Sequence, residues 1–123
     1  MSDPHRPPLL HGRRILLVED DWFVADDLCR ELEDHGATVL GPAPGVAEAM
    51  ALLERGDRPD AALLDVQLGG ETSFALADLL RGQGVPVVLA TAYGPRDLPE
   101  PYALLPRCEK PLDMRQLLRV LSG

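Results

Sequence analysis

Five short apolar runs alternate with amphipathic stretches along the chain, and this alternation constrains the fold more than any other feature. The runs cover residues 15–18, 38–40, 61–64, 86–90 and about 104–108. Each suits a strand that is buried on both faces of a sheet. Strands that alternate with helices form repeated βαβ units, whose strands lie parallel. The sequence therefore predicts an α/β fold with a single doubly wound five-stranded parallel sheet and helices on both faces.

The stretches between the runs carry apolar residues at helical spacing. Val24, Leu28 and Leu32 lie four residues apart beside a polar face, and Gly36 follows as a stop signal. The same spacing predicts three further helices: one from Val46, Ala49, Met50 and Leu53, one over about 72–81, and a last one from Met114, Leu117, Leu118 and Leu121.

Glycine and proline mark the breaks between these elements. We expect Gly41-Pro42 to end the second strand and Gly69-Gly70 to form a loop after the third. Four prolines between 94 and 106 leave room only for a short or irregular fourth helix. Pro106 lacks an amide hydrogen, so we expect the fifth strand at the edge of the sheet.

Size and composition bound the function. A chain of 123 residues has room for one domain, which we place at 13–123 after a polar, proline-rich and flexible segment at 1–12. The formal charge of −8 disfavours direct binding to nucleic acid, because phosphates require a basic surface. No apolar run approaches the roughly 20 residues that cross a bilayer, so we expect no membrane insertion. Cys29 and Cys108 have no metal-ligand spacing and are expected to be buried or half-buried thiols of a reducing, cytoplasmic compartment.

Polar residues follow four of the five predicted strands. They are Glu19-Asp20-Asp21 after the first strand, Asp65 after the third, Thr91 after the fourth and Lys110 after the fifth. Right-handed crossovers bring the carboxyl ends of parallel strands to one edge of the sheet. We therefore expect several carboxylates, a hydroxyl and an ammonium group to share one shallow pocket.

This set of groups is suited to phosphoryl transfer. Crowded carboxylates repel one another unless a cation enters, and their oxygens suit Mg²⁺. The metal would also hold an oxygen of an incoming phosphoryl group. Asp65 is then the candidate nucleophile, while Thr91 and Lys110 are candidate partners of the phosphoryl oxygens.

Four segments carry a family resemblance. They are Leu17-Val18-Glu19-Asp20-Asp21, Leu63-Leu64-Asp65-Val66, Leu89-Ala90-Thr91-Ala92 and Glu109-Lys110-Pro111. In this order, from about Arg13 to the C-terminus, the chain resembles a response-regulator receiver domain of the CheY-like superfamily. The resemblance implies the flavodoxin-like strand order 2-1-3-4-5.

The resemblance also assigns roles to the strand-end residues. Asp65 would accept a phosphoryl group from a sensor histidine kinase, with Thr91 as the switch hydroxyl and Lys110 as the phosphoryl-binding lysine. Mg²⁺ would be organised by Glu19 and Asp20, by Asp65, and by the backbone carbonyl of Gln67, with Asp20 and Asp65 as direct carboxylate ligands. The receiver would catalyse its own phosphotransfer and dephosphorylation rather than act as an enzyme on a separate substrate. Output would pass through a downstream protein partner or by phosphate relay.

One position departs from the usual receiver pattern. Receivers usually place an aromatic residue three positions before the lysine, where this chain has Arg107. The stretch at 89–94 resembles instead the "FAT GUY" subgroup, although Leu89 and Ala92 replace its typical phenylalanine and glycine. That subgroup lacks the aromatic switch and often stands alone, so we expect no output domain after residue 123.

Several of these residues also have structural interpretations. Asp21 is expected to cap the first helix, where acids favour the helix dipole. Trp22 and Phe23 form either an interaction patch beside the acids or partial packing over that helix. Tyr93 is either a substitute aromatic gate or an exposed loop residue.

Two other functions use a similar set of residues. A phosphatase of the haloacid dehalogenase type also has an Asp nucleophile and Mg²⁺, but it needs a second carboxylate where this chain has Gln67. A degenerate receiver that serves only as an adaptor is the non-catalytic alternative. All of the main reactive positions are filled here, which favours the active receiver.

Overall fold

The computed structural model describes residues 10–92 and 98–122. Its helices are α1 (Trp22–Asp34), α2 (Val46–Glu54), α3 (Phe74–Gly82) and α4 (Met114–Ser122). Its strands are β1 (Arg14–Val18), β2 (Thr38–Ala43), β3 (Ala61–Asp65), β4 (Gln67–Leu68), β5 (Glu71–Thr72), β6 (Val87–Thr91) and β7 (Arg107–Glu109). A 3-10 helix covers Tyr102–Leu104.

Five of the strands form one parallel sheet. Its order is β2-β1-β3-β6-β7, with β1 between β2 and β3, and β6 between β3 and β7. Counting only the strands of this sheet, the order is 2-1-3-4-5, and the predicted fold class is confirmed.

The sheet separates two apolar layers. Leu16 and Val18 of β1 join the layer that contains the buried residues of α2 and α3. Ile15 and Leu17 join the layer that contains those of α1 and α4, because successive strand residues point to opposite faces. Helices therefore cover both faces, as the doubly wound architecture requires. Among the described residues, no helix combines the length and the apolar composition that a membrane crossing requires.

The end of the N-terminal segment contacts this core. The predicted flexible segment covers residues 1–12, and residues 1–9 of it lie outside the described residues. Residues 10–12 form a turn in which Leu10 is fully buried and its amide donates to the carbonyl of His35. The amide of Gly12 donates to the carbonyl of Gly36. This part of the segment is therefore fixed against the connection between α1 and β2.

The sequence predicted that the second strand ends at Gly41-Pro42. In the structure β2 continues to Ala43. The pairing of β2 with β1 shifts after Leu16. Gly41 and Pro42 therefore form a local irregularity inside an edge strand, where proline is tolerated. Gly41 has a φ of 101°, and a Cβ there would stand 2.9 Å from the carbonyl oxygen of Leu17. The glycine permits the strand to pass this close to β1.

Two further boundaries differ from the sequence-based expectation. The Gly69-Gly70 loop is the turn of an antiparallel hairpin, β4–β5, so α3 begins at Phe74 rather than near residue 72. The fifth strand of the sheet is shorter than expected and spans Arg107–Glu109. The 3-10 helix precedes this strand. Its Tyr102 stacks on Phe74 of α3, with ring centroids 4.1 Å apart, and so fixes the 3-10 helix to α3. The short fourth helix expected here corresponds to this 3-10 helix, and residues 93–97 lie outside the described residues.

Candidate functional site

Three carboxylates meet at the carboxyl edge of the sheet. One oxygen from each of Glu19, Asp20 and Asp65 lies within 4.8 Å of the others. Glu19 and Asp65 are 4% and 6% exposed, while Asp20 is exposed. They converge because β1 and β3 are neighbours in the sheet, so the residues that follow or end these strands face each other.

Backbone contacts hold the segment after β1. The amide of Glu19 donates to the carbonyl of Ala43 at 3.0 Å, which extends the pairing with β2 by one residue. Oε2 of Glu19 accepts from the amide of Asp21 at 3.0 Å. The Asp21 carboxylate in turn accepts from the amides of Phe23 and Val24 at 3.0 and 3.1 Å. Asp21 is therefore the N-cap of α1, as predicted, while Glu19 and Asp20 belong to the acidic cluster.

A lysine from the far edge of the sheet reaches these acids. Nζ of Lys110 lies 2.6 Å from Oδ2 of Asp65 and 3.4 Å from Oε1 of Glu19. The lysine amide donates to the carbonyl of Thr91 at 2.8 Å, so β6 and β7 fix its backbone. Thr91 itself is 1% exposed at the end of β6, which lies beside β3. Five of the six predicted strand-end residues, all except the helix cap Asp21, are thus gathered along one edge of the sheet.

The positive charge of one lysine does not balance the negative charge of three carboxylates, two of which are buried. Burial raises the pKa of Glu19 from 4.5 to about 7, and repulsion from Asp65 adds to the effect. The amide of Asp21 and the charge of Lys110 act in the opposite direction. Burial lowers the pKa of Lys110, but its hydrogen bond with Asp65 and the attraction of both acids outweigh this and raise it.

This donor set can bind a metal ion. It offers carboxylate oxygens from three residues, two of them buried, and one side that is open at Asp20. Oxygen-only ligands and surplus negative charge suit a hard divalent cation that keeps part of its hydration. A cation here would also remove the repulsion that raises the pKa of Glu19.

The β4–β5 hairpin borders the acidic cluster, at a place where the sequence predicts a loop. The amide of Gln67 donates to Oδ1 of Asp65 at 3.2 Å, and the amide of Gly69 donates to Oδ2 of Asp20 at 2.9 Å. A two-residue Gly-Gly turn between short extended stretches is the signal that predicts such a hairpin. The role of the Gln67 carbonyl as a metal ligand stays a prediction.

The remaining candidate residues lie around the site. Trp22 and Phe23 are 73% and 76% exposed and contact each other edge to face at 5.5 Å, so they do not pack over α1. Arg107 begins β7, and its Nη1 donates to the carbonyl of Ala103. Tyr93 lies outside the described residues.

Comparisons with known proteins identify the class to which this fold and site belong. PhyR of Methylorubrum extorquens, a phyllosphere-induced regulator, is 34% identical over an alignment of 110 residues that covers 85% of this chain and 41% of that protein. The solved structure of SdrG from Sphingomonas melonis superposes with a TM-score of 0.76 at 34% identity and covers 93% of this chain and 95% of that one. The response regulator PhyR from Brucella abortus gives a TM-score of 0.78 at 28% identity, over 94% of this chain and 49% of that one.

No protein-family model matches the chain. The fold, the strand-end site and these relatives nevertheless agree, and the chain belongs to the receiver-domain family of response regulators. Its function lies in two-component signalling. The chain spans less than half the length of the curated relatives that it matches, for example 41% of the Methylorubrum PhyR.

Proposed function

We propose that the chain is the phosphoacceptor of a two-component phosphorelay and that Asp65 takes the phosphoryl group. The observation that carries this proposal is the contact of 2.6 Å between Nζ of Lys110 and Oδ2 of Asp65, beside two further carboxylates. A nearly buried aspartate that is paired with a lysine and can share a cation has the surroundings of a carboxylate nucleophile. We further propose that the cation is Mg²⁺ and that the donor is a sensor histidine kinase of the cytoplasm.

In the proposed transfer, a carboxylate oxygen of Asp65 bonds to phosphorus while the bond from phosphorus to the donor breaks. With a phosphohistidine donor, the leaving ring nitrogen takes up a proton. Mg²⁺ would be held by Glu19, Asp20 and Asp65 together with the backbone carbonyl of Gln67, and it would neutralise charge on the transferring oxygens. The ammonium group of Lys110 compensates the new phosphoryl charge, and the Thr91 hydroxyl donates to a phosphoryl oxygen.

Phosphorylation would act on signalling through a population shift. A phosphoryl group on Asp65 favours the conformer in which Thr91 closes on it, and the surface around β7 and the 3-10 helix changes with it. A protein partner that binds this surface, or a further histidine that removes the phosphoryl group, would transmit the signal. The domain has no separate substrate in this account, and it contacts neither nucleic acid nor membrane directly.

The rival functions predict different behaviour. A haloacid-dehalogenase-type phosphatase needs a general acid or base two residues past its nucleophile, and Gln67 cannot serve in that way. A degenerate adaptor would bind its partner without accepting a phosphoryl group. Incubation with Mg²⁺ and acetyl phosphate separates such an adaptor from a phosphoacceptor.

The test is the intact mass of the protein after that incubation. The wild type should gain the mass of one phosphoryl group, and the gain should require Mg²⁺. Asp65→Asn should gain nothing, whereas Asp34→Asn, which changes an exposed acid of α1, should label as the wild type does. Labelling that persists in Asp65→Asn would contradict the assignment, and no labelling of the wild type would favour the adaptor.

A further inference from the structure

The β4–β5 hairpin connects the acidic cluster to the start of α2. Its turn lies at the cluster, because the amide of Gly69 donates to Oδ2 of Asp20 at 2.9 Å. Its second strand lies at α2, because Oε1 of Glu71 accepts from the amide of Val46 at 3.1 Å. Leu68, which is opposite Glu71 in the hairpin register, is buried in the core.

Glu71 takes the place of a missing helix cap. The N-cap residue of α2 is Gly45, which has no side chain to accept from the first amides of the helix. The Glu71 carboxylate accepts from one of these amides from outside the helix, where the helix dipole also favours negative charge. This contact fixes the second strand of the hairpin against a rigid element of the fold.

The first strand and the turn of the hairpin contact the carboxylates of the site. The amide of Gln67 donates to Asp65 and the amide of Gly69 donates to Asp20, so two of the three acids are oriented by the backbone of this one hairpin. Residues that orient metal ligands without touching the metal change metal affinity when they are lost. Asp20 is exposed, and the Gly69 amide holds its Oδ2 from the side of the hairpin.

We propose that Glu71 is a positioning residue for the metal site: it ties the hairpin to α2 and thereby holds the Gly69 amide on Asp20. The proposal rests on the function proposed above for the acidic cluster. Glu71 acts from the opposite strand of the hairpin and does not contact the metal. Its contribution is to keep the Asp20 carboxylate in the direction that a shared cation needs.

The test is a Mg²⁺ titration of variants, followed by the fluorescence of Trp22, the only tryptophan of the chain. Glu71→Ala should weaken Mg²⁺ binding by about threefold to tenfold, less than the loss of a residue that contacts a metal ligand directly. Glu71→Gln keeps an oxygen that accepts from Val46 and should remain within about twofold of the wild type. Glu54→Ala is the matched control, because it removes an exposed acid from the opposite end of the same helix.

A second measurement does not depend on metal. In metal-free protein, hydrogen exchange at the Gly69 amide should be faster in Glu71→Ala than in the wild type and unchanged in Glu54→Ala. Equal Mg²⁺ affinities and equal Gly69 exchange in the two alanine variants would overturn the proposal, since other contacts, such as the burial of Leu68, would then hold the hairpin. If the wild type binds no Mg²⁺, the proposed function fails, and Gly69 exchange alone decides whether Glu71 positions the hairpin.

Discussion

Glu19→Gln should stabilise the metal-free protein at alkaline pH, although it alters a nearly buried residue of the site. Burial raises the pKa of Glu19 from 4.5 to about 7, so the ionised form is disfavoured in the folded state. A rise of this size means that full ionisation of Glu19 lowers the free energy of unfolding by at most about 3 kcal/mol. Solvent screening reduces the effect. We therefore expect the free energy of unfolding of Glu19→Gln to exceed that of the wild type by about 1–2 kcal/mol at about pH 8.5.

The gain should depend on pH in a defined direction. The folded state binds the Glu19 proton more tightly than the unfolded state does. The stability from this proton is therefore fully present below pH 4.5 and is lost as pH rises through about 7. Glutamine resembles the protonated acid at every pH, so its advantage over the wild type should shrink by about 1 kcal/mol between about pH 8.5 and about pH 6.

Urea unfolding in the presence of a chelator measures this difference at both pH values. Glu31→Gln, which changes an exposed acid of α1, is the control and should show no such pH-dependent gain. The glutamine oxygen can still accept from the amide of Asp21, so the local backbone contact is retained. A Glu19→Gln variant that is no more stable than the wild type at high pH, or equally stabilised at both values, would refute the reasoning.

Three further substitutions test separate parts of the structure. Asp20→Asn should lower Mg²⁺ affinity by roughly tenfold or more without changing the urea midpoint, because its amide oxygen can still accept from Gly69; unchanged affinity in a titration would remove Asp20 from the ligand set. Asp21→Ala should lower the free energy of unfolding by about 1 kcal/mol, since two amides of α1 lose their cap. Asp21→Asn should retain most of the stability that this cap contributes. Leu80→Ala, at a fully buried position of α3, should cost about 3–5 kcal/mol in the same urea assay, and Leu79→Ala at its half-buried neighbour should cost clearly less.

The main sheet and its site were predictable because both depend on local patterns that topology converts into proximity. A buried run that ends in a polar residue marks the carboxyl end of a parallel strand, and right-handed crossovers bring such ends together. Asp65 and Lys110 are 45 residues apart in the chain, yet they are in contact. The expectation followed from the order of the elements and needed no knowledge of side-chain packing.

The Gly69-Gly70 turn is a hairpin signal, but the hairpin was missed because its strands contain two residues each, which is too short for a periodic pattern. Its position depends on tertiary contacts at Asp20 and at the start of α2, and these contacts leave no local trace in the sequence. The end of β2 was misplaced for a related reason. Gly41-Pro42 is a strong local break signal, but pairing of Ala43 with Val18 continues the strand beyond it.

The electrostatic state of the site also depends on the folded structure. The sequence indicates that carboxylates crowd together, but the high pKa of Glu19 follows from its burial at the end of β1. The exposure of Trp22 and Phe23 was likewise left open by the sequence, since an apolar residue at a helix start is equally compatible with packing. In the structure neither side chain is buried, and the two contact each other.

The position of the phosphoryl group tests the central claim most directly. After incubation with Mg²⁺ and acetyl phosphate, borohydride reduces an acyl phosphate to an alcohol and leaves unmodified carboxylates unchanged, so peptide mass spectrometry locates the modified residue. The account predicts one reduced residue, Asp65, with no reduction in protein that was not phosphorylated. Reduction at Glu19, at Asp20 or at an acid outside the cluster, with Asp65 intact, would contradict it.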